Sequence, residues 1–154
     1  MTAFTLNGAA GEVPEPEPGM TLLAALRGPL GLSGPRFGCG EEQCGACMVL
    51  LDGTPAFACT LPLDAVAGRA VTTVEGLGTP EAPHPLQRAF LAEQAGQCGY
   101  CLSGILVSAA ALLAHEKAPT PARVREALAP HLCRCGSHNR IVRAVMRAAE
   151  ELWA

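Results

Sequence analysis

Three cysteines share one twelve-residue loop, Arg36 to Cys47, with the spacing C-x4-C-x2-C at Cys39, Cys44 and Cys47. A fourth, Cys59, follows after eleven intervening residues. Thiolates in this pattern are the plant-type ligand set of a [2Fe–2S] cluster, in which each iron takes two sulfurs. Gly38, Gly40 and Gly45 suit the same chemistry, because such a loop must bring backbone N–H groups close to sulfur. Four cysteines can also hold tetrahedral zinc. Structural zinc, however, is usually gripped by two short knuckles, whereas here three ligands share one glycine-rich loop.

The other four cysteines form a second set, Cys98-Gly99-Tyr100-Cys101 and Cys133-Arg134-Cys135. Each pair falls between two predicted helices, so antiparallel packing can bring all four thiolates to one end of a bundle. That satisfies the ligand count of a second [2Fe–2S] cluster. A C-x-C pair makes a poor zinc knuckle. The zinc alternative here is Cys98, Cys101, Cys135 and His138, which leaves Cys133 idle. His84, His115 and His131 read as solvated or capping residues, and His138 as a loop residue able to touch a partner.

The elements that must position these thiols differ between the two halves. In the first half, Phe4-Thr5-Leu6 leads through Asn7-Gly8 towards Glu12-Val13, a hairpin signal. Thr21 is a candidate N-cap for a short helix over Leu22 to Leu26, ended at Gly28-Pro29. Met48 to Leu51, Asp52-Gly53 and Thr54 to Ala58 form a second hairpin that delivers Cys59 back to the loop. Ala70 to Val74 is the last β-rich run. Strands, a helix across them and further strands predict a β-grasp domain over residues 1–75. A core this small leans on a bound metal as its staple.

Glycine and proline crowd residues 76–85, which read as a linker. Beyond it the apolar period changes from two to about 3.6. Leu86, Phe90 and Leu91 begin one helix, and Leu102 to Leu113 stripe a second. Thr120-Pro121 opens a third, and Ile141 to Leu152 stripe the last. Residues 86–154 are thus predicted to be a four-helix bundle, giving an α+β chain of two metal-binding domains.

Composition narrows the function. A net charge of −3 over 154 residues offers no basic footprint for nucleic acid. The apolar run Leu102 to Ala114 is too short and too interrupted to insert in a membrane. The start, Met1 to Leu6, reads as a strand and not as a signal peptide, so eight cysteines point to bound metal in a cytoplasmic protein and away from disulfides. Periplasmic export together with a partner is the alternative. With 49% hydrophobic and 16% charged residues, the surplus apolar surface is expected to meet another chain.

The two cysteine sets together, with Gln97-Cys98-Gly99-Tyr100-Cys101 and Leu132-Cys133-Arg134-Cys135-Gly136, resemble the small iron–sulfur subunit of the molybdenum hydroxylases. This is the xanthine dehydrogenase/aldehyde oxidoreductase family. The resemblance runs from Leu6-Asn7-Gly8 to the last helix and fills all eight ligand positions. Cys101-Leu102-Ser103-Gly104 and Cys135-Gly136-Ser137-His138 look most like the isoquinoline 1-oxidoreductase and nicotinate dehydrogenase type.

The resemblance implies a chain with no catalytic centre of its own. It would carry single electrons from a large molybdopterin-binding partner through two [2Fe–2S] clusters to an external acceptor, a cytochrome. Substrate, an N-heteroaromatic or an aldehyde, would bind the partner, whose cofactor would be the cytosine dinucleotide form. Gln97 and Cys135 would reach the pterin. Read without the family, Gln97 is a polar residue ending the first bundle helix. A free-standing two-cluster ferredoxin or a zinc-stapled interaction module is the alternative function. A free ferredoxin, though, carries a strongly acidic docking face, which −3 does not supply.

Overall fold

The computed structural model describes all 154 residues. Its first half holds β1 (Thr2–Leu6), β2 (Ala9–Val13), α1 (Leu22–Arg27), β3 (Met48–Leu51), β4 (Thr54–Phe57) and β5 (Ala70–Thr72). The second half holds α2 (Pro85–Ala92), α3 (Leu102–His115), α4 (Pro121–Ala127) and α5 (His138–Leu152). The chain is α+β.

The sheet runs β2-β1-β5-β3-β4, with β1 and β5 parallel and every other neighbour antiparallel. Asn7-Gly8 and Asp52-Gly53 turn the two hairpins, all four residues at positive φ, as a tight turn of this hand requires. Thr21 caps α1, its hydroxyl accepting from the Ala24 N–H at 3.2 Å. Leu22, Leu23, Ala25 and Leu26 of that helix pack with Phe4, Val49, Leu51 and Val71 into the sheet's own core.

β5 is shorter than the sequence suggests, and Val74 has left the ladder for a 3-10 turn. The cause is local. The Thr73 N–H donates to Asn7 Oδ1 at 2.8 Å and Asn7 Nδ2 donates to Thr73 Oγ1 at 3.0 Å, so side chains take over where strand pairing stops. The stretch from Gly76 to Pro85 is tethered at its start, where Val74 and Leu77 rest on the helical core. His84 then caps α2 with a reciprocal capping box to Gln87.

β3 shows how the halves meet. All four of its residues are buried, because successive side chains point to opposite faces and both faces are covered. Val49 and Leu51 enter the core beneath α1. Met48 and Leu50 point the other way, onto Val107 and Ala111 of α3. This explains why α3 is apolar almost all round. It is sandwiched, with Ile105, Leu106, Ala109, Leu112 and Leu113 in the helical core and Val107 against the sheet. α5 is more one-sided. Ile141, Val142, Val145 and Ala149 face the core, while Arg143 and Arg147 pair with Glu93 outside at 3.3 Å. No helix is long and apolar enough to cross a membrane.

Candidate metal centres

The fold brings the eight cysteines together as four couples, two in each half. In the first half the thiols of Cys39 and Cys44 lie within hydrogen-bonding reach of one another, as do those of Cys47 and Cys59. In the second, Cys98 lies beside Cys135 and Cys101 beside Cys133, and Cys98 also feels Cys133, so the four thiols share one region. Cys59 approaches Cys47 because β3 and β4 pair Met48 with Phe57 and the Ala58 N–H, one residue before Cys59, donates to the Cys47 carbonyl at 3.4 Å. Cys101 sits at the start of α3 without a capping hydrogen bond, and Cys133 and Cys135 lie between α4 and α5, so these cysteines are at helix junctions.

Backbone donors converge on the sulfurs. The Glu41 and Gln43 N–H groups point at Cys39 Sγ, at 3.4 and 3.2 Å, and the Cys39 N–H points at Cys44 Sγ at 3.4 Å. The Tyr100 N–H reaches Cys98 Sγ at 3.5 Å. These dipoles favour the thiolate, and the Glu41 and Gln43 donors draw Cys39 down to about 7. The Tyr100 N–H lowers Cys98 in the same way, helped by the Cys135 thiol. Burial works against the Cys133 thiolate, but the Ser137 N–H, the Cys101 thiol and further backbone donors outweigh it and leave the group below its ordinary value. Burial instead pushes Cys47 and Cys101 up to about 12, so these two thiols hold their protons unless a metal displaces them.

The donor set fits a two-iron cluster better than a lone ion. No three His, Cys, Asp or Glu side chains converge on one ion-sized point, and this holds for the zinc arrangement of Cys98, Cys101, Cys135 and His138 and for each cysteine set alike. Thiols grouped two and two, with N–H donors aimed at sulfur, match the demand of a centre whose irons each take two thiolates. Close packing keeps the first loop in place. A Cβ at Gly38 would stand 2.6 Å from Cys44 Sγ. One at Gly45, where φ is +74°, would strike the His131 ring.

Two other site residues differ from expectation. α2 ends at Ala92, five residues before Gln97, because Gln94 adopts a positive φ and turns the chain away. Gln97 is therefore an exposed loop residue and does not end a helix. Its Nε2 donates to the Cys135 carbonyl at 3.1 Å, joining the two residues expected to act together. His131 is neither solvated nor capping. It is buried against Ser108, with Nε2 and Oγ 2.7 Å apart, and burial holds the ring down to about 4. His84 does cap a helix, and His115 and His138 are exposed.

Sequence reasoning missed the residues that join the sites. Arg36 donates to the Gly99 carbonyl at 3.1 Å and lies 5.1 Å over the Tyr100 ring. The Tyr100 hydroxyl donates to the Phe37 carbonyl. The Leu132 N–H donates to the Cys44 carbonyl at 3.0 Å. An aromatic inside the Cys98–Cys101 loop was the one available signal, since the rest of the contact is set by tertiary packing.

Comparison with known proteins bears on both halves. A family model described as a 2Fe-2S iron-sulfur cluster binding domain matches residues 4–70, and one described as a [2Fe-2S] binding domain matches residues 73–146. A nicotinate dehydrogenase subunit of Pseudomonas putida is 50% identical over 148 residues, spanning 96% of this chain and 94% of that protein. The alpha chain of isoquinoline 1-oxidoreductase from Brevundimonas diminuta is 50% identical over 154 residues, spanning 98% and 99%. Among solved structures, a chain of quinoline 2-oxidoreductase from Pseudomonas putida 86 superimposes with a TM-score of 0.91 at 38% identity, covering 97% of this chain and 93% of that one.

Proposed function

The chain belongs to the iron–sulfur subunits of the molybdenum hydroxylase family, and from that premise we propose that its four thiol couples each hold one iron of two [2Fe–2S] clusters. Cys39 with Cys44 and Cys47 with Cys59 would serve the first cluster. Cys98 with Cys135 and Cys101 with Cys133 would serve the second. The observation that carries this reading is the two-and-two grouping of thiols. When bound, the clusters supply one-electron acceptance and release. The chain's own residues bind them, direct N–H groups at the sulfurs and bury Cys47 and Cys101 from water.

The second centre would face the large partner. Gln97 is exposed beside a groove of about 800 Å³ lined in part by Phe90, Leu91, Leu102 and Arg140. Leu91 and Leu132 stand exposed near that end, as the sequence's apolar surplus leads one to expect at an interface. Gln97 and Cys135 would approach the partner's pterin, in its cytosine dinucleotide form. The first centre would then pass electrons on to a cytochrome. Relatives named for nicotinate and isoquinoline support an N-heteroaromatic substrate, with an aldehyde next. The chain reads as a β-grasp domain over residues 1–75, a linker over 76–85 and a four-helix domain over 86–154, with strands confined to the first part and the four longer helices to the last.

Metal analysis of the purified chain with its partner tests the reading. Four irons per chain, no zinc and sulfur-to-iron charge-transfer absorbance are expected. Stoichiometric zinc without that absorbance would overturn it.

A further inference from the structure

Loops from both halves carry the sulfurs of the two centres, and a compact set of contacts between the Arg36–Cys47 loop and the Cys98–Cys101 loop has no part in holding either cluster. The Tyr100 hydroxyl donates to the Phe37 carbonyl, while its ring lies beneath the Arg36 guanidinium at 5.1 Å. Arg36 itself donates to the Gly99 carbonyl at 3.1 Å. Tyr100 lies between Cys98 and Cys101, and Arg36-Phe37 precede Cys39. On the far side of the same junction the Leu132 N–H donates to the Cys44 carbonyl at 3.0 Å, and the next residue is Cys133. Between these contacts is a cavity of about 160 Å³ lined by Cys44 from one set and by Cys98, Cys101 and Cys133 from the other.

We propose that Tyr100 is a positioning residue that fixes the distance and orientation between the two cluster-binding loops, with Arg36 as its second hold. Sequence neighbours cannot do this work. The loops are joined only through tertiary contacts, and the apolar seam of Met48, Leu50, Val107 and Ala111 acts on β3 and α3, away from the loop tips. An exposed loop tip with no tie moves freely, and transfer between two redox centres depends steeply on their separation. Tyr100 is half exposed, so its ring does not serve as core packing. Its hydroxyl and its ring face reach different partners on one short strip of chain, and that geometry holds a loop at a fixed spacing.

The inference rests on the iron–sulfur reading, and its test separates the two. The first readout is hydrogen exchange at the Leu132 amide, which reports the junction whether or not iron is bound. The second is the spin–spin splitting between the two centres in frozen, dithionite-reduced protein, which reports their spacing. Wild-type protein with no paramagnetic iron signals would defeat the iron–sulfur reading itself. In Tyr100→Ala, with four irons retained, Leu132 exchange should rise about tenfold, as loss of a hydrogen-bonded tie predicts, and the splitting should change. Tyr100→Phe, which keeps the ring beneath Arg36, should show a smaller shift in the same direction. If Tyr100→Ala loads fewer than four irons, Tyr100→Phe and Arg36→Lys carry the comparison with the same readouts. Either readout unmoved in the iron-replete variants would overturn the proposal.

Discussion

His131 Nε2 and Ser108 Oγ lie 2.7 Å apart at the buried junction of the two halves. The ring stands on the loop before Cys133, the hydroxyl on α3, and the ring also meets Gly45 of the first cysteine loop. Ser108 supplies the hydrogen bond at Nε2 of a side chain that is buried. Ser108→Ala should therefore cost the desolvation of the abandoned nitrogen, roughly 1–3 kcal/mol. Denaturant unfolding of the iron-loaded protein measures it. A loss under a few tenths of a kcal/mol would show that the junction closes without this pair.

The same ring gives the protein a pH response of fixed sign. Burial lowers His131 from its ordinary 6.5 to about 4, so the folded chain holds the neutral form more strongly than the unfolded chain does. A depressed histidine contributes stability that is complete above 6.5 and is lost as pH falls towards 4. From pH 7.5 to pH 5 the loss should be about 2 kcal/mol. His131→Gln, which cannot titrate, should flatten that slope. Both proteins are compared by urea unfolding with iron content checked at each pH. Parallel slopes would assign the acid sensitivity to other groups.

Cys39, Cys44 and Cys47 are legible as a set because spacing along one loop is a local property, and Cys59 follows from the equally local hairpin that returns the chain. The Thr21 cap and the turns at Asn7-Gly8 and Asp52-Gly53 are legible for the same reason. What escapes is non-local. Nothing in Ala-Pro-His-Leu-Cys tells that His131 will meet a serine 23 residues earlier. Gln97 reads as a helix end because the apolar residues of α2 promise a longer helix than Gln94 allows. The four consecutive apolar residues of β3 do signal burial on both faces, but not that α3 will cover the second one.

Cys59→Ala should separate the two centres. Cys59 lies beside Cys47, and every cysteine of the helical set lies beyond residue 97. Iron should fall from four per chain to two, with the remaining paramagnetic signal that of the helical centre. The sheet half should loosen, since a core of this size leans on its metal, yet stay docked through Met48 and Leu50 on α3. Iron analysis and spectra of the variant decide the matter. Loss of both signals together would contradict two separately held centres.

Gln97 is the residue whose substitution should leave both centres whole and still slow the assembled enzyme. It is exposed, it is no ligand, and its side chain is held within the chain by the hydrogen bond from Nε2 to the Cys135 carbonyl. That bond fixes the amide plane, leaving Oε1 and the second N–H free for a partner's polar group. Gln97→Ala should therefore retain four irons and the same absorbance. It should lower the rate at which substrate bleaches the clusters in the anaerobic complex by roughly tenfold, the effect of about 1–3 kcal/mol of lost hydrogen bonding. Gln97→Glu separates the two roles of the side chain. It keeps the length but loses the donor to Cys135, so a rate near that of Gln97→Ala assigns the effect to the amide N–H groups. Unchanged bleaching in Gln97→Ala, with molybdenum content also unchanged, would place the electron entry point elsewhere on the chain.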